Sequence, residues 1–192
     1  HMGMHHVANN MLDDASSTLP YQRDSLRGFL AYVGRFLILG FRDTFLYFFR
    51  NKRKKFYMRL AAGELSFYIF CVGMCFVNFH ATLFIFLIPF VFARIVMMLG
   101  NWTQHAFVNP ADLEELHYTE IPVEFLKNKD SFAKQKTPVF DGVHYLHIFF
   151  WLMTRRYDKL AKNLVNVNNT YSSDEEAITL LKERTRKFRV PA

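Results

Sequence analysis

The sequence predicts an all-α fold: an integral membrane helical hairpin with interfacial amphipathic helices and a cytoplasmic cap. Three observations carry this prediction. The run from Leu65 to Leu99 is apolar almost throughout, with Arg94 as its only charged residue and His80 its only histidine. A membrane-crossing helix takes about 17–25 apolar residues, so the run is too long for one comfortable span and just long enough for two short ones. Next, Arg50, Lys52, Arg53, Lys54, Lys55 and Arg59 stand directly before the run with no acid among them. Finally, the chain carries 22 Phe, a load that suits a protein whose core face and lipid face both need apolar side chains.

The 192 residues suffice for one domain. Residues 1–24 are polar and turn-rich, with Asn9-Asn10, Asp13-Asp14, Ser16-Ser17-Thr18 and Pro20. Ser25–Phe49 is apolar but interrupted by Arg27, Arg35, Arg42 and Asp43. At 100° per residue the three arginines fall within an arc of about 80°. That pattern describes a helix lying in the membrane interface with its basic face toward water. The rival is a third span, which would carry Arg35 near the bilayer centre at about 2.5–3.5 kcal/mol.

Within residues 65–99 the least apolar point is Val77–Thr82. It divides the run into an inward helix, about Leu65–Phe76 plus flanks, and a returning one, about Leu83–Leu99. The alternative is one tilted helix with a long exposed end. Positive charge beside a span marks the cytoplasmic side, so both hairpin ends are expected there. The same cluster attracts anionic lipid head groups.

Asn101–Pro138 is mixed and polar, punctuated by Pro110, Pro122 and Pro138. Phe140–Met153 is apolar but too short to cross, which suits an interfacial or packed helix. Residues 155–192 read as a soluble helical tail. Ser173-Asp174-Glu175-Glu176 is a capping-box pattern. It predicts a helix over about Asp174–Phe188, ending in Lys182, Arg184, Arg186 and Lys187, where cations suit the C-terminus.

The net charge of +7 sits beside apolar segments, which argues against nucleic acid as a partner. Cys71 and Cys75, the only cysteines, lie four apart inside the apolar run. They offer neither a disulfide framework nor a zinc site and read as small packing residues. No signal peptide is visible. The chain opens on histidine, which suggests either a His1-Met2 cloning scar or a fragment of a longer protein.

Two places carry potential chemistry. His1-Met2-Gly3-Met4-His5-His6 has the spacing HxxxHH. On a helix His1 and His5 face the same way and His6 stands one step round. Neutral imidazoles there suit Fe, Zn or Cu; the rival reading is a purification tag. His105 leaves the second span at its cytoplasmic end, with Asn101 four residues earlier on the same face of a continuing helix. Two crossings would put His1, His5, His6 and His105 on one membrane face.

These residues carry a resemblance. HxxxHH followed by Val7-Ala8-Asn9-Asn10, Asp13-Asp14-Ala15-Ser16-Ser17-Thr18 and Tyr21-Gln22-Arg23-Asp24 resembles the second histidine box and trailing loop of membrane fatty-acid desaturase-like proteins. Gly100-Asn101-Trp102-Thr103-Gln104-His105-Ala106-Phe107 resembles the segment after their last transmembrane pair. Leu116-His117-Tyr118-Thr119-Glu120-Ile121-Pro122 resembles their HW(S/T)E(L/M)P segment, and Phe140–Leu160 their C-terminal region. The resemblance covers nearly the whole chain, and the four segments in order are more specific than any one.

The resemblance implies an all-helical membrane enzyme, expected in the endoplasmic reticulum, with a cytoplasmic di-iron site built from histidines. Such enzymes use O₂ and two electrons from a cytochrome b5 or ferredoxin type donor. They remove two hydrogens from the acyl chain of an acyl-lipid or acyl-CoA. Carried over, His1, His5, His6 and His105 are the metal ligands and Asn101 a cofactor-binding residue. Two departures matter. The family's first box, HxxxH or HxxxxH, would lie upstream of residue 1. Its third box, HxxHH, would lie between the NWTQH and HYTEIP segments, where Asp112-Leu113 runs almost directly into Leu116-His117. Asp141-Gly142-Val143-His144-Tyr145-Leu146-His147 mimics that box but lies downstream of HYTEIP and ends in Ile148. The expectation is therefore an incomplete desaturase holding at most part of its iron. The alternative is a catalytically silent membrane scaffold that binds lipid or a desaturase partner.

Overall fold

A computed structural model of the chain describes residues 14, 16–108, 138–140, 142–166 and 171–188. The chain is mostly helical. Its described elements are α1 (Leu26–Arg50), α2 (Lys54–Val77), α3 (Phe79–Gln104), β1 (Val139–Phe140), α4 (Tyr145–Met153), α5 (Tyr157–Lys162), β2 (Leu164–Val165) and α6 (Asp174–Arg184). The two short strands pair antiparallel, Val139 opposite Val165 and Phe140 opposite Leu164. Contacts divide the chain into two compact units, residues 1–17 with 30–101 and residues 18–29 with 102–192.

In the first unit, Arg35 and Arg42 of α1 are exposed, as their shared arc predicts. Arg35 also reaches Asp43 at 2.7 Å. α1 stops after Arg50 in a Schellman turn. The Arg53 N–H donates to the Phe48 carbonyl at 2.9 Å and the Lys52 N–H to the Phe49 carbonyl at 3.1 Å. Lys52 takes the left-handed conformation, φ 55°, at the position where glycine is the usual occupant.

α2 and α3 are each long and apolar enough to cross a membrane, about 36 and 39 Å at 1.5 Å per residue. Only 6% of each apolar window is buried within the chain. The chain breaks between them at Asn78, within the least apolar stretch. Asn78 is extended, and it ends one helix while starting the next. Its N–H donates to the Met74 carbonyl, and its side-chain oxygen accepts from the Ala81 N–H at 3.0 Å.

The helices fold back on each other along a seam. Phe70 meets Phe86 (ring centroids 5.2 Å apart), Phe67 stacks on Phe90 (4.6 Å), and Glu64 pairs with Arg94. The seam advances by three residues on α2 and by four on α3, an i±3 row lying against an i±4 row.

One irregularity was not expected from the apolar pattern: Leu83–Leu87 is a π turn, with the Ile88 N–H reaching back to the Leu83 carbonyl. Pro89 explains it. Proline supplies no N–H and its ring crowds the carbonyl four residues back, so the helix widens by one residue to accommodate it.

The second unit buries Leu19, Trp102, Leu152, Leu160, Ala177 and Leu181 completely. α1 begins here. The Ser25 side-chain oxygen accepts from the Gly28 N–H at 3.4 Å, and the Phe29 N–H donates to the Ser25 carbonyl at 2.9 Å. A Cβ on Gly28 would stand 2.4 Å from the Gln22 carbonyl oxygen, so only glycine lets this loop lie against the helix.

Ser173 caps α6 as the capping-box pattern predicts, and Glu176 reaches back one residue beyond the cap. Ser173 Oγ accepts from the Glu176 N–H at 3.3 Å, while Glu176 Oε2 accepts from the Ser172 N–H at 2.7 Å. The helix ends at Arg184, short of the expected Phe188, because the following backbone finds other partners. The Thr185 carbonyl accepts from the Arg23 N–H at 2.8 Å, and the Phe188 N–H donates to the Leu19 carbonyl at 3.0 Å. α4 is likewise shorter than the apolar run that predicts it, since Val139–Phe140 pairs as β1.

Candidate functional site

Asn101 belongs to the first unit and is 5% exposed. Its Nδ2 donates to the Ser16 carbonyl at 2.9 Å and to the Tyr32 hydroxyl at 2.7 Å. Tyr32 in turn donates to the same Ser16 carbonyl at 3.1 Å. Asp14 shapes the approach: its Oδ1 accepts from the Ser16 N–H at 2.8 Å and from Ser16 Oγ at 2.7 Å. Asn101 Oδ1 is buried and has no hydrogen-bond partner among the described residues. A buried carbonyl left without a donor costs about 1–3 kcal/mol, so this oxygen is an acceptor suited to a water, an imidazole N–H or a ligand hydroxyl.

A second polar cluster holds the other unit together. Arg23 is 2% exposed. Its Nε donates to the Ala106 carbonyl at 2.8 Å, and its Nη2 donates to the Val108 carbonyl at 3.3 Å and to that of Arg184. The Arg23 carbonyl accepts from Trp102 Nε1 at 3.1 Å. Burial, reinforced by the neighbouring Arg184 charge, lowers the guanidinium pKa to about 10.

Beside it, Tyr157 donates its hydroxyl to Asp24 Oδ2 at 2.9 Å and lies 3.0 Å from Thr185 Oγ1. Arg155 Nε is 3.4 Å from the same Asp24 oxygen. Burial above all raises the Tyr157 phenol pKa; the Thr185 hydrogen bond pulls it back, and the Asp24 charge raises it further. Above pH 10, the ordinary tyrosine value, the unfolded chain releases a proton that the folded chain keeps, so stability falls as pH rises. Tyr157→Phe is expected to cost about 1–2 kcal/mol at neutral pH and to remove its share of that alkaline loss. Thermal melts of both proteins at pH 7 and above pH 10 would show it; identical alkaline slopes would count against the assignment.

The described histidines lie at two helices, His80 and His105 at opposite ends of α3 and His144 and His147 at the start of α4. His80 is exposed at the start of α3. His105 is half-buried after the last turn of α3, and its carbonyl accepts from Thr18 Oγ1 at 3.4 Å. His144 is the N-cap of α4, its Nδ1 accepting from the Leu146 N–H at 3.3 Å. His147 lies 6.5 Å from His144 between ring centroids and stacks on Trp151 at 5.9 Å. Among the described residues no three His, Cys, Asp or Glu side chains converge to hold a metal ion. The described donors alone therefore do not fit a di-iron centre. His1, His5, His6 and the segment from Leu116 to Pro122 lie outside the described residues.

Arg23, Asp24, Tyr32 and Tyr157 were not singled out as buried polar anchors from the sequence. Their only local signal is an Arg-Asp pair inside a polar segment, which reads equally well as a solvated turn. No protein-family model matches the chain, and neither a curated protein nor a solved structure was found similar to it.

Proposed function

We propose that the chain is a membrane fatty-acid desaturase-like protein that lacks the family's third histidine box. In this reading α2 and α3 cross the bilayer as a hairpin with both ends in the cytoplasm. Its histidine segment belongs to a family that removes two hydrogens from an acyl chain with O₂. One observation supports the placement of that segment: the Ser16 carbonyl takes hydrogen bonds from both Asn101 and Tyr32. This ties the stretch trailing His1, His5 and His6 to the cytoplasmic end of the second apolar helix. Iron, where bound, would supply an oxidant strong enough for an unactivated C–H bond. The protein would contribute imidazole ligands from His1, His5 and His6 and the buried Asn101 acceptor.

The second reading, a silent scaffold that binds lipid or a desaturase partner, is favoured by the capping role of His144 and the ring stacking of His147, which occupy the nearest substitute for the third box. Iron measured by mass spectrometry, alongside product analysis with O₂ and a reduced electron donor, separates the two. We expect less than a full pair of irons per chain and no new double bond until an HxxHH segment is placed before Leu113. A full pair with measurable desaturation by the present chain would overturn the loss of the third box. The crossing has its own test, cysteine labelling in sealed vesicles on a Cys71→Ala/Cys75→Ala background. Phe56→Cys and Tyr118→Cys should label from one side and Phe79→Cys from the other. Labelling of all three from one side would remove the hairpin.

A further inference from the structure

The turn between α1 and α2 forms an open groove of about 450 Å³ lined by Phe49, Arg50, Lys52, Lys54 and Tyr57. That volume lies within the range of sites for small ligands. Part of its lining is aromatic: the Phe49 and Tyr57 rings are 5.7 Å apart, and Phe45 meets Tyr57 at 5.5 Å. The rest of the lining is cationic: Arg50, Lys52 and Lys54. No acid occurs between Asp43 and Glu64. Among the described residues none of Arg50, Lys52 and Lys54 forms an ion pair. All three are exposed, so their charges remain available. The backbone also holds Lys52 at φ 55°, a conformation glycine adopts more easily. The lysine is therefore not there to ease the turn.

Two aromatic rings beside three unpaired cations suit a phosphate joined to an apolar body. The pocket opens at the foot of α2, the first helix long and apolar enough to cross a membrane. We propose that it holds the phosphate-bearing head group of an anionic phospholipid, with Arg50, Lys52 and Lys54 on the phosphate and Phe49 and Tyr57 against the glycerol and upper acyl carbons. The choice of a lipid over free phosphate rests on the membrane-crossing reading above; the charge complementarity does not.

The test uses the full chain purified in detergent, with bound lipid counted by native mass spectrometry against added short-chain phosphatidylserine or phosphatidylcholine. We expect one phosphatidylserine to be retained in preference to phosphatidylcholine. A juxtamembrane cation contributes about 1 kcal/mol to anionic-lipid attraction, so Lys52→Gly should weaken retention about fivefold and Lys52→Gly/Lys54→Gln about thirtyfold. Lys52→Gly relieves the left-handed residue, so weakened retention with an unlowered melting temperature cannot be ascribed to misfolding. Arg59→Gln, which removes a nearby charge outside the pocket lining, should change retention little. An equal loss from Arg59→Gln would mean diffuse attraction and overturn the site, as would equal retention of the two lipids. Inorganic phosphate that binds as tightly as phosphatidylserine would overturn the lipid assignment. Preferential retention in micelles, combined with one-sided labelling of positions 56 and 79 in vesicles, would support the pocket while overturning the crossing.

Discussion

Arg23→Met is expected to destabilise the unit built from residues 18–29 and 102–192 by about 3–5 kcal/mol, from the loss of its hydrogen bonds to three buried carbonyls. The guanidinium donates to the carbonyls of Ala106, Val108 and Arg184, which come from two distant stretches of chain. Methionine fills similar volume but donates nothing, so three buried carbonyls lose a partner at about 1–3 kcal/mol each before relaxation. The wild-type arrangement is itself costly: Arg23 Nη1 is buried without a partner among the described residues. Arg23→Lys should fall between the two, because a single ammonium cannot reproduce the fork that reaches all three carbonyls. Trp102 is fully buried and donates to the Arg23 carbonyl, so its fluorescence reports the loss during denaturant unfolding. A variant within about 1 kcal/mol of wild type, the size of one ordinary hydrogen bond, would mean that the carbonyls find water and that Arg23 is not the anchor.

Glu64→Leu and Arg94→Leu are each expected to loosen the α2–α3 seam by about 2–3 kcal/mol, the cost of leaving one charge unpaired in apolar surroundings. The double variant should recover most of that loss. The two side chains pair across the seam, each mostly buried. Arg94 also lies 4.4 Å above the centre of the Phe90 ring, which stacks on Phe67. Replacing both charges by leucine extends the apolar seam already formed by Phe70 with Phe86 and Phe67 with Phe90. Replacing one strands the other. Glu64 Oε2 is buried and lacks a partner among the described residues, so the pair is imperfectly satisfied and its removal costs little. Melting of the four proteins of this cycle in detergent measures the coupling. Additive losses would show that the ion pair is incidental to the register of the two helices.

Much of the local architecture is written in short-range pattern. The break at Asn78 follows from a polar residue inside an apolar run, since a side-chain oxygen there can cap a new helix. The start of α6 follows from Ser173 and Glu176, whose side chains satisfy backbone N–H groups at the helix entrance. The exposed arginines of α1 follow from the helical period alone. The π turn at Leu83–Leu87 was readable in principle from Pro89, but an apolar count is blind to it. The turns at Lys52 and Arg155, both at φ 55°, were hidden because the residue that announces such a turn is glycine and neither position has one.

The polar partnerships were decided only by the fold. Glu64 lies just outside the apolar run and reads as a flank until α3 returns to place Arg94 beside it. Arg23 reads as a solvated turn residue until three carbonyls, contributed by residues far along the chain, surround it. Asn101 was noticed for its distance from His105, yet the contacts it makes within its unit are with Ser16 and Tyr32. The physical reason is the same in each case. Periodicity tells which face of an element is apolar, because that depends on near neighbours in sequence. The partner of a buried charge or amide is whichever group tertiary packing brings within hydrogen-bond reach, and no local pattern in the chain records it.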